Sequence, residues 1–202
     1  MLDRHITPFI QRAVAGLATA AVRGGLRADH VTLLAFGLGI AAMVCIAFQL
    51  YEIAVALILL SRLCDALDGA VARLTQVTDS GGYLDITLDF LFYAGTVLAF
   101  AIADPLANAL PAAVLLAAFI GTGSSFLAFA ALAAKRGIQS MEYPGKSFYF
   151  LGGLTEGTET LICFILMCLM PQWFPELAYL FAALCAITIC TRVIGGYFTL
   201  KK

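Results

Sequence analysis

Charge is scarce in this 202-residue chain: 12% of its residues are Asp, Glu, Lys or Arg, against roughly 25% in ordinary soluble domains. Val31 to Leu50 and Pro105 to Ala134 hold no charged residue at all, and each is long enough to cross a bilayer, which takes roughly 18 to 20 apolar residues. With 62% of the residues hydrophobic, a soluble core of this size could not hide the apolar surface. Membrane spans are therefore expected. The CxxC spacing is absent too. Cys45, Cys64, Cys163, Cys168, Cys185 and Cys190 all lie in apolar stretches and read as small buried hydrophobes, with neither disulfides nor structural zinc expected. Asp3, Arg4, Arg12, Arg23, Arg27 and Asp29 break up the first 30 residues, so a cleaved secretory signal is not expected. A net charge of -1 argues against a nucleic-acid partner.

What is present is an all-α, polytopic pattern in one membrane domain over residues 1–202. Six transmembrane helices are expected near 31–50, 53–74, 82–103, 108–133, 147–170 and 176–199. Ahead of them, in residues 1–30, Ile6, Phe9, Ile10, Val14 and Leu17 recur at helical spacing after Thr7-Pro8, which predicts an amphipathic helix on the membrane surface. All 12 Lys and Arg residues fall on one side of this plan, whereas Tyr51-Glu52, Asp104 and Pro171 to Glu176 on the other side contain none. Positive charge favours the cytoplasmic face, so both termini are expected there.

From the second span into the third runs Asp65-Ala-Leu-Asp68-Gly69-Ala-Val-Ala72-Arg73, then seven residues, then Gly81-Gly-Tyr-Leu-Asp85-Ile-Thr-Leu-Asp89. Each carboxylate at membrane depth costs about 2.5 kcal/mol or more and requires compensation. Arg62 and Arg73 cannot neutralise four, but multivalent cations can. Asp65 and Asp68 share one helical face at i, i+3, and Asp85 and Asp89 share another at i, i+4. Gly69, Ala72 and Gly81 keep bulk away where a phosphate could approach. Hard oxygen ligands suit Mg2+ or Mn2+, completed by substrate phosphates.

These residues resemble the signature of the CDP-alcohol phosphotransferases (CDP-alcohol phosphatidyltransferases): D-x2-D-G-x2-A-R, a short spacer, then G-x3-D-x3-D, matched at every fixed position. Chance agreement at eight fixed residues is on the order of 10^-10 per starting point, so the match is specific. It spans 25 residues, and the six-span plan extends the likeness, which is nearest to small bacterial inner-membrane members. The resemblance implies metal held by Asp65, Asp68 and Asp85. It also implies that Asp89 touches a second ion and serves as the base, and that Gly69, Ala72, Arg73 and Gly81 line the CDP pocket. It further implies CDP-diacylglycerol and an alcohol as substrates, release of CMP, two Mg2+ or Mn2+ per site, and a homodimer. No fixed position of the motif is Ser, Cys or His, so direct in-line displacement is expected rather than a covalent intermediate. Transfer of a CDP-linked headgroup to diacylglycerol is the alternative within this chemistry. A divalent-cation transporter would explain the acidity but not Gly69, Ala72, Arg73 and Gly81.

Weaker signals remain. Asp79 is expected as the N-cap of the third span, His30 and Trp173 as interfacial residues, and Gly121, Gly123, Ser124 and Ser125 as close helix contacts. Lys146 and Arg192 are either snorkelling anchors or groups for a phosphorylated acceptor. Glu156 and Glu159 are expected on one face inside the fifth span, in a Thr-Glu-Gly stretch similar to one in choline and ethanolamine phosphotransferases. They are expected either to recognise an amine or hydroxyl-rich acceptor or to pair with Arg192.

Overall fold

A computed structural model describes residues 3–137 and 153–201, with side chains from Ile10 onward. The described residues form seven α-helices: α1 Asp3–Arg23, α2 Ala28–Ala47, α3 Tyr51–Leu74, α4 Asp79–Ala103, α5 Pro105–Lys135, α6 Gly157–Leu169 and α7 Phe174–Lys201. A 3-10 turn, Pro171–Trp173, joins the last two.

Local chemistry explains the boundaries. The α1 helix ends in a Schellman motif: Gly25 takes φ +77°, its N–H reaches the Val22 carbonyl, and the Leu26 N–H reaches that of Ala21. The same motif ends α2, where Gln49 occupies the left-handed position at φ 61° and its side chain donates to the Ala103 carbonyl at 2.9 Å. Pro105 opens α5 where no N–H is needed, and Asp104 caps it by accepting from the Ala107 N–H at 3.1 Å. At α4 the expectation for Asp79 is corrected. Thr78 is the N-cap, its hydroxyl accepting from the Gly81 N–H at 3.1 Å, and Asp79 is the first helical residue, where a negative charge suits the helix dipole.

Among the described residues, four helical segments are long and apolar enough to cross a membrane: Ala28–Ala47, Asp79–Ala103, Pro105–Lys135 and Pro171–Lys201. The α3 helix has the length but carries Glu52, Arg62, Asp65, Asp68 and Arg73, and α6 is apolar but has only 13 residues. Of the stretch expected as a helix over 147–170, residues 153–156 lie outside a helix and Gly157–Leu169 is helical; Lys146 and residues 147–152 lie outside the described residues. The remaining helices start two to three residues earlier than expected, and α7 ends two later.

Helix α2 packs against both α3 and α4, α5 packs against α7, and α4 also packs against α5. Their common core is aromatic. Phe100 stacks on Phe174 at 4.7 Å between centroids, and Phe164 meets Phe92 and Phe119 edge-on at 6.1 and 6.3 Å. The α1 helix is held separately, by Val14 and Ala18 buried against Ala70 and Val71 of α3. Large apolar side chains such as Leu34, Ile40, Leu98, Leu110, Ile120 and Leu180 point outward, fully half-exposed or more in most cases. An aqueous surface would penalise so continuous an apolar coat, but a lipid one does not.

Candidate active site

The four signature aspartates stand on two antiparallel helices whose faces are brought together. Ser61, fully buried, donates to the Ala35 carbonyl at 2.8 Å and fixes the turn of α3 that faces α2. One turn on, Asp65 and then Asp68 point toward α4, and Asp85 points back. One oxygen from each of Asp65, Asp68 and Asp85 lies within 4.8 Å of the other two. Asp68 is buried at 5% exposure, and its Oδ2 has no hydrogen-bond partner among the described residues. A buried carboxylate oxygen without a donor is costly unless a cation meets it. Three converging hard oxygens with one left unsatisfied fit Mg2+ or Mn2+ in both chemistry and spacing.

The fourth aspartate is set apart. Asp89 Oδ1 accepts from Arg62 Nη1 at 2.6 Å, and the same nitrogen lies 3.5 Å from Asp65. A small pocket beside this pair is lined by Thr32, Ala35, Phe36, Arg62, Asp65, Asp85, Leu88 and Asp89. Thr32, at 6% exposure, was not singled out by the sequence; its only signal is a polar residue in the apolar run of α2.

The small residues of the signature have distinct reasons. A Cβ on Gly81 would stand 3.0 Å from the Thr78 hydroxyl and 3.2 Å from Asp29 Oδ1, so a side chain there would press on the cap of α4. A Cβ on Gly69 would meet Arg73 Nη1 at 3.4 Å, because the guanidinium folds back over that bare backbone. Gly69, Ala72 and Arg73 occupy one face of the last turns of α3. Arg73 itself is exposed.

Asp89 also lines a much larger cavity of about 790 Å3 between α4, α5, the start of α6 and α7. Most of its wall is apolar and aromatic, from Phe90, Tyr93, Phe119 and Phe126; the polar groups are Asp89, Thr122, Ser124, Thr155, Glu156, Thr160 and Arg192. Arg192 is buried at 8% exposure and donates from Nη1 to the Thr122 carbonyl at 3.2 Å, so it is not a snorkelling anchor. Gly123 belongs to the same wall, and a Cβ there would sit 2.6 Å from the Phe90 ring.

Glu156 and Glu159 do not share a mid-helix face. Glu156 is the N-cap of α6; the Glu159 carboxylate accepts from its backbone N–H at 3.2 Å, closing a capping box. Glu156 Oε1 also accepts from the Gly153 N–H at 3.2 Å, and Glu156 alone of the two faces the cavity. Thr188 of α7 holds this bend in place, its hydroxyl lying 3.1 Å from both the Leu154 N–H and the Thr155 hydroxyl. Thr188 carries no mark in the sequence, being one of three threonines in α7, with Thr191 and Thr199.

Comparison with known proteins shows the family and the fold. The profile of the family described as CDP-alcohol phosphatidyltransferase matches residues 26–194, and the chain belongs to that family. It is a membrane-embedded transferase of substituted phosphate groups acting in phospholipid synthesis. It is 53% identical over all of its 202 residues to the inner membrane protein YnjF of Escherichia coli K12, covering 98% of that protein. The fold is that of the Mycobacterium tuberculosis phosphatidylinositol phosphate synthase PgsA1. The structure of PgsA1 with CDP-DAG bound matches with a TM-score of 0.74 at 21% identity, over 92% of this chain and 94% of that one. Its structure with manganese and citrate matches at 0.71 and 22%, over 91% and 88%.

Proposed function

We propose that this enzyme moves a phosphatidyl group from CDP-diacylglycerol to an alcohol, releasing CMP, with Mg2+ or Mn2+ at the acidic cluster. One observation carries the reading: three carboxylate oxygens within 4.8 Å, one aspartate among them holding an unsatisfied buried oxygen, beside a fourth aspartate that faces a large cavity. Asp65, Asp68 and Asp85 would hold the metal, while Asp89, with one oxygen taken by Arg62, stands outside that cluster as the base. When bound, such ions neutralise pyrophosphate oxygens and the charge that develops on the departing CMP.

The protein's own groups do the rest. Gly69 and Ala72 keep bulk off the end of α3, Gly81 lets the cap of α4 close tightly beside it, and Arg73, which lies over Gly69, offers a planar fork of N–H donors to the pyrophosphate oxygens. Asp89 accepts the proton of the acceptor hydroxyl as its oxygen bonds to the phosphatidyl phosphorus. The bond from that phosphorus to the CMP oxygen breaks on the opposite side, and CMP leaves with the electron pair. The acceptor enters through the 790 Å3 cavity, which shares Asp89 with the acidic pocket.

Around this site we place six spans, α2 to α7, in the cytoplasmic (inner) membrane of a homodimer, as one membrane domain with α1 on the membrane surface and both termini cytoplasmic. The one-sided placement of all 12 Lys and Arg residues supports the orientation. The relative named an inner membrane protein supports the location.

The test is CMP release by purified protein given CDP-diacylglycerol and a panel of alcohols, with the lipid product identified by mass spectrometry. CMP formed only from a CDP-linked headgroup plus diacylglycerol would reverse donor and acceptor. No CMP from either pairing would overturn the reading.

The two glutamates of α6 separate in the same assay. Glu159→Ala removes half of the capping box and is expected to cost about 0.3–1.5 kcal/mol of stability while leaving acceptor KM unchanged. Glu156→Gln changes a cavity wall and is expected to shift acceptor KM more than donor KM. Equal shifts in both would make Glu156 purely structural.

A further inference from the structure

Arg62 lies outside the family signature, three residues before Asp65, yet its guanidinium is held on several sides at the site. Its Nη1 donates to Asp89 at 2.6 Å and stands 3.5 Å from Asp65. Its Nη2 donates to the Ser61 hydroxyl at 3.3 Å, and its guanidinium lies over the fully buried ring of Phe92, 4.2 Å from the centroid. A plane supported by an aromatic face and pinned along its edge is geometry that arginine provides and lysine does not.

The consequence falls on Asp89. Asp85 and Asp89 are chemically alike and one turn apart, but Asp85 joins the three-oxygen cluster whereas Asp89 gives Oδ1 to the guanidinium. That bond occupies one oxygen, leaves the other for a proton, and holds the carboxylate at the wall shared by the acidic pocket and the large cavity. Phe92 lies on α4 one turn beyond Asp89, so the aspartate and the ring that seats its partner move as one body.

We propose that Arg62 is a positioning residue: it orients Asp89 toward the acceptor and separates it from the metal-holding trio. This rests on Asp89 being the base. A base free to turn into the metal cluster would be lost to the incoming alcohol, and removing the partner that orients an active group typically costs about 10- to 100-fold.

Single-turnover transfer from CDP-diacylglycerol, measured in a double-mutant cycle of Arg62→Gln and Asp89→Asn, tests the assignment. Mn2+ binding followed by electron paramagnetic resonance on the same proteins gives a readout independent of turnover. Arg62→Gln is expected to slow transfer about 10- to 100-fold with Mn2+ affinity within about threefold of the parent. In the Asp89→Asn background it is expected to add nothing, because the group it positions has gone. Arg62→Lys keeps the charge without the fork and is expected to fall between; it carries the same cycle should Arg62→Gln not fold. Unimpaired transfer by Arg62→Gln, losses that multiply in the double variant, or joint loss of Mn2+ binding and transfer would each overturn the role of Arg62. If Asp89→Asn alone transfers at the parent rate, the base assignment itself has failed, an outcome visible without any Arg62 variant.

Discussion

Chelation with EDTA is expected to abolish CMP release, and excess Mg2+ or Mn2+ to restore it. The reason is electrostatic. Asp65, Asp68, Asp85 and Asp89 face one another across α3 and α4, and the single guanidinium among them is committed to Asp89 and Asp65. Adding the negative pyrophosphate of a donor to that site without metal would meet like charge at close range, in surroundings that screen it poorly. Asp68 is the sharpest probe, since it is the most buried of the four and its Oδ2 has no donor among the described residues. Asp68→Asn replaces one carboxylate oxygen by an amide that cannot ligate as an anion. It is expected to lower Mn2+ affinity and CDP-diacylglycerol binding together, and to reduce transfer by at least about 10^2-fold, the scale of several kcal/mol of lost charge stabilisation. Calorimetric Mn2+ titration beside the CMP assay checks both. Full turnover in chelator, or intact metal binding in Asp68→Asn, would remove the ion from the mechanism.

Asp89→Asn is expected to behave differently, losing transfer while keeping the donor. The substitution preserves size and one oxygen, so Arg62 still has an acceptor 2.6 Å away, but the amide cannot take a proton from the incoming hydroxyl. General-base assistance contributes about 10^2- to 10^4-fold, and a loss of that order is expected in single-turnover transfer with CDP-diacylglycerol binding still measurable. Because the three oxygens of Asp65, Asp68 and Asp85 form their cluster without Asp89, most of the Mn2+ affinity is expected to survive. Comparison of the two variants therefore separates holding the donor from activating the acceptor. An Asp89→Asn enzyme that transfers at the parent rate would assign the proton to another group or to water.

The chemistry was legible in sequence because it is local. The spacings 65/68 and 85/89 put carboxylates on shared helical faces whatever surrounds them, and uncharged runs such as Val31 to Leu50 announce membrane helices by length alone. Gly69, Ala72 and Gly81 could likewise be read as absences of bulk, although the atoms they avoid, Arg73 Nη1 and the Thr78 hydroxyl, emerge only in three dimensions.

Less was legible where two candidates compete within a few residues or where partners are distant in sequence. Thr78 and Asp79 are both good caps, and the choice fell to the hydroxyl that reaches the Gly81 N–H. Glu156 and Glu159 read in sequence as one helical face, because Glu is not a favoured N-cap; the capping box has the same i, i+3 spacing and emerges only with the start of α6 at Gly157.

By itself, then, the sequence determined the all-helical membrane class, the family signature and the four aspartates, because each depends on composition or on spacing within one helix. Tertiary structure alone decided that three aspartates cluster while Asp89 pairs with Arg62. It also decided that Arg192 and Glu156 share one cavity with Asp89, and that Thr188 pins the bend before α6. Those outcomes depend on how helices carrying residues 17 to 103 positions apart are rotated against each other, which packing sets and no local pattern encodes.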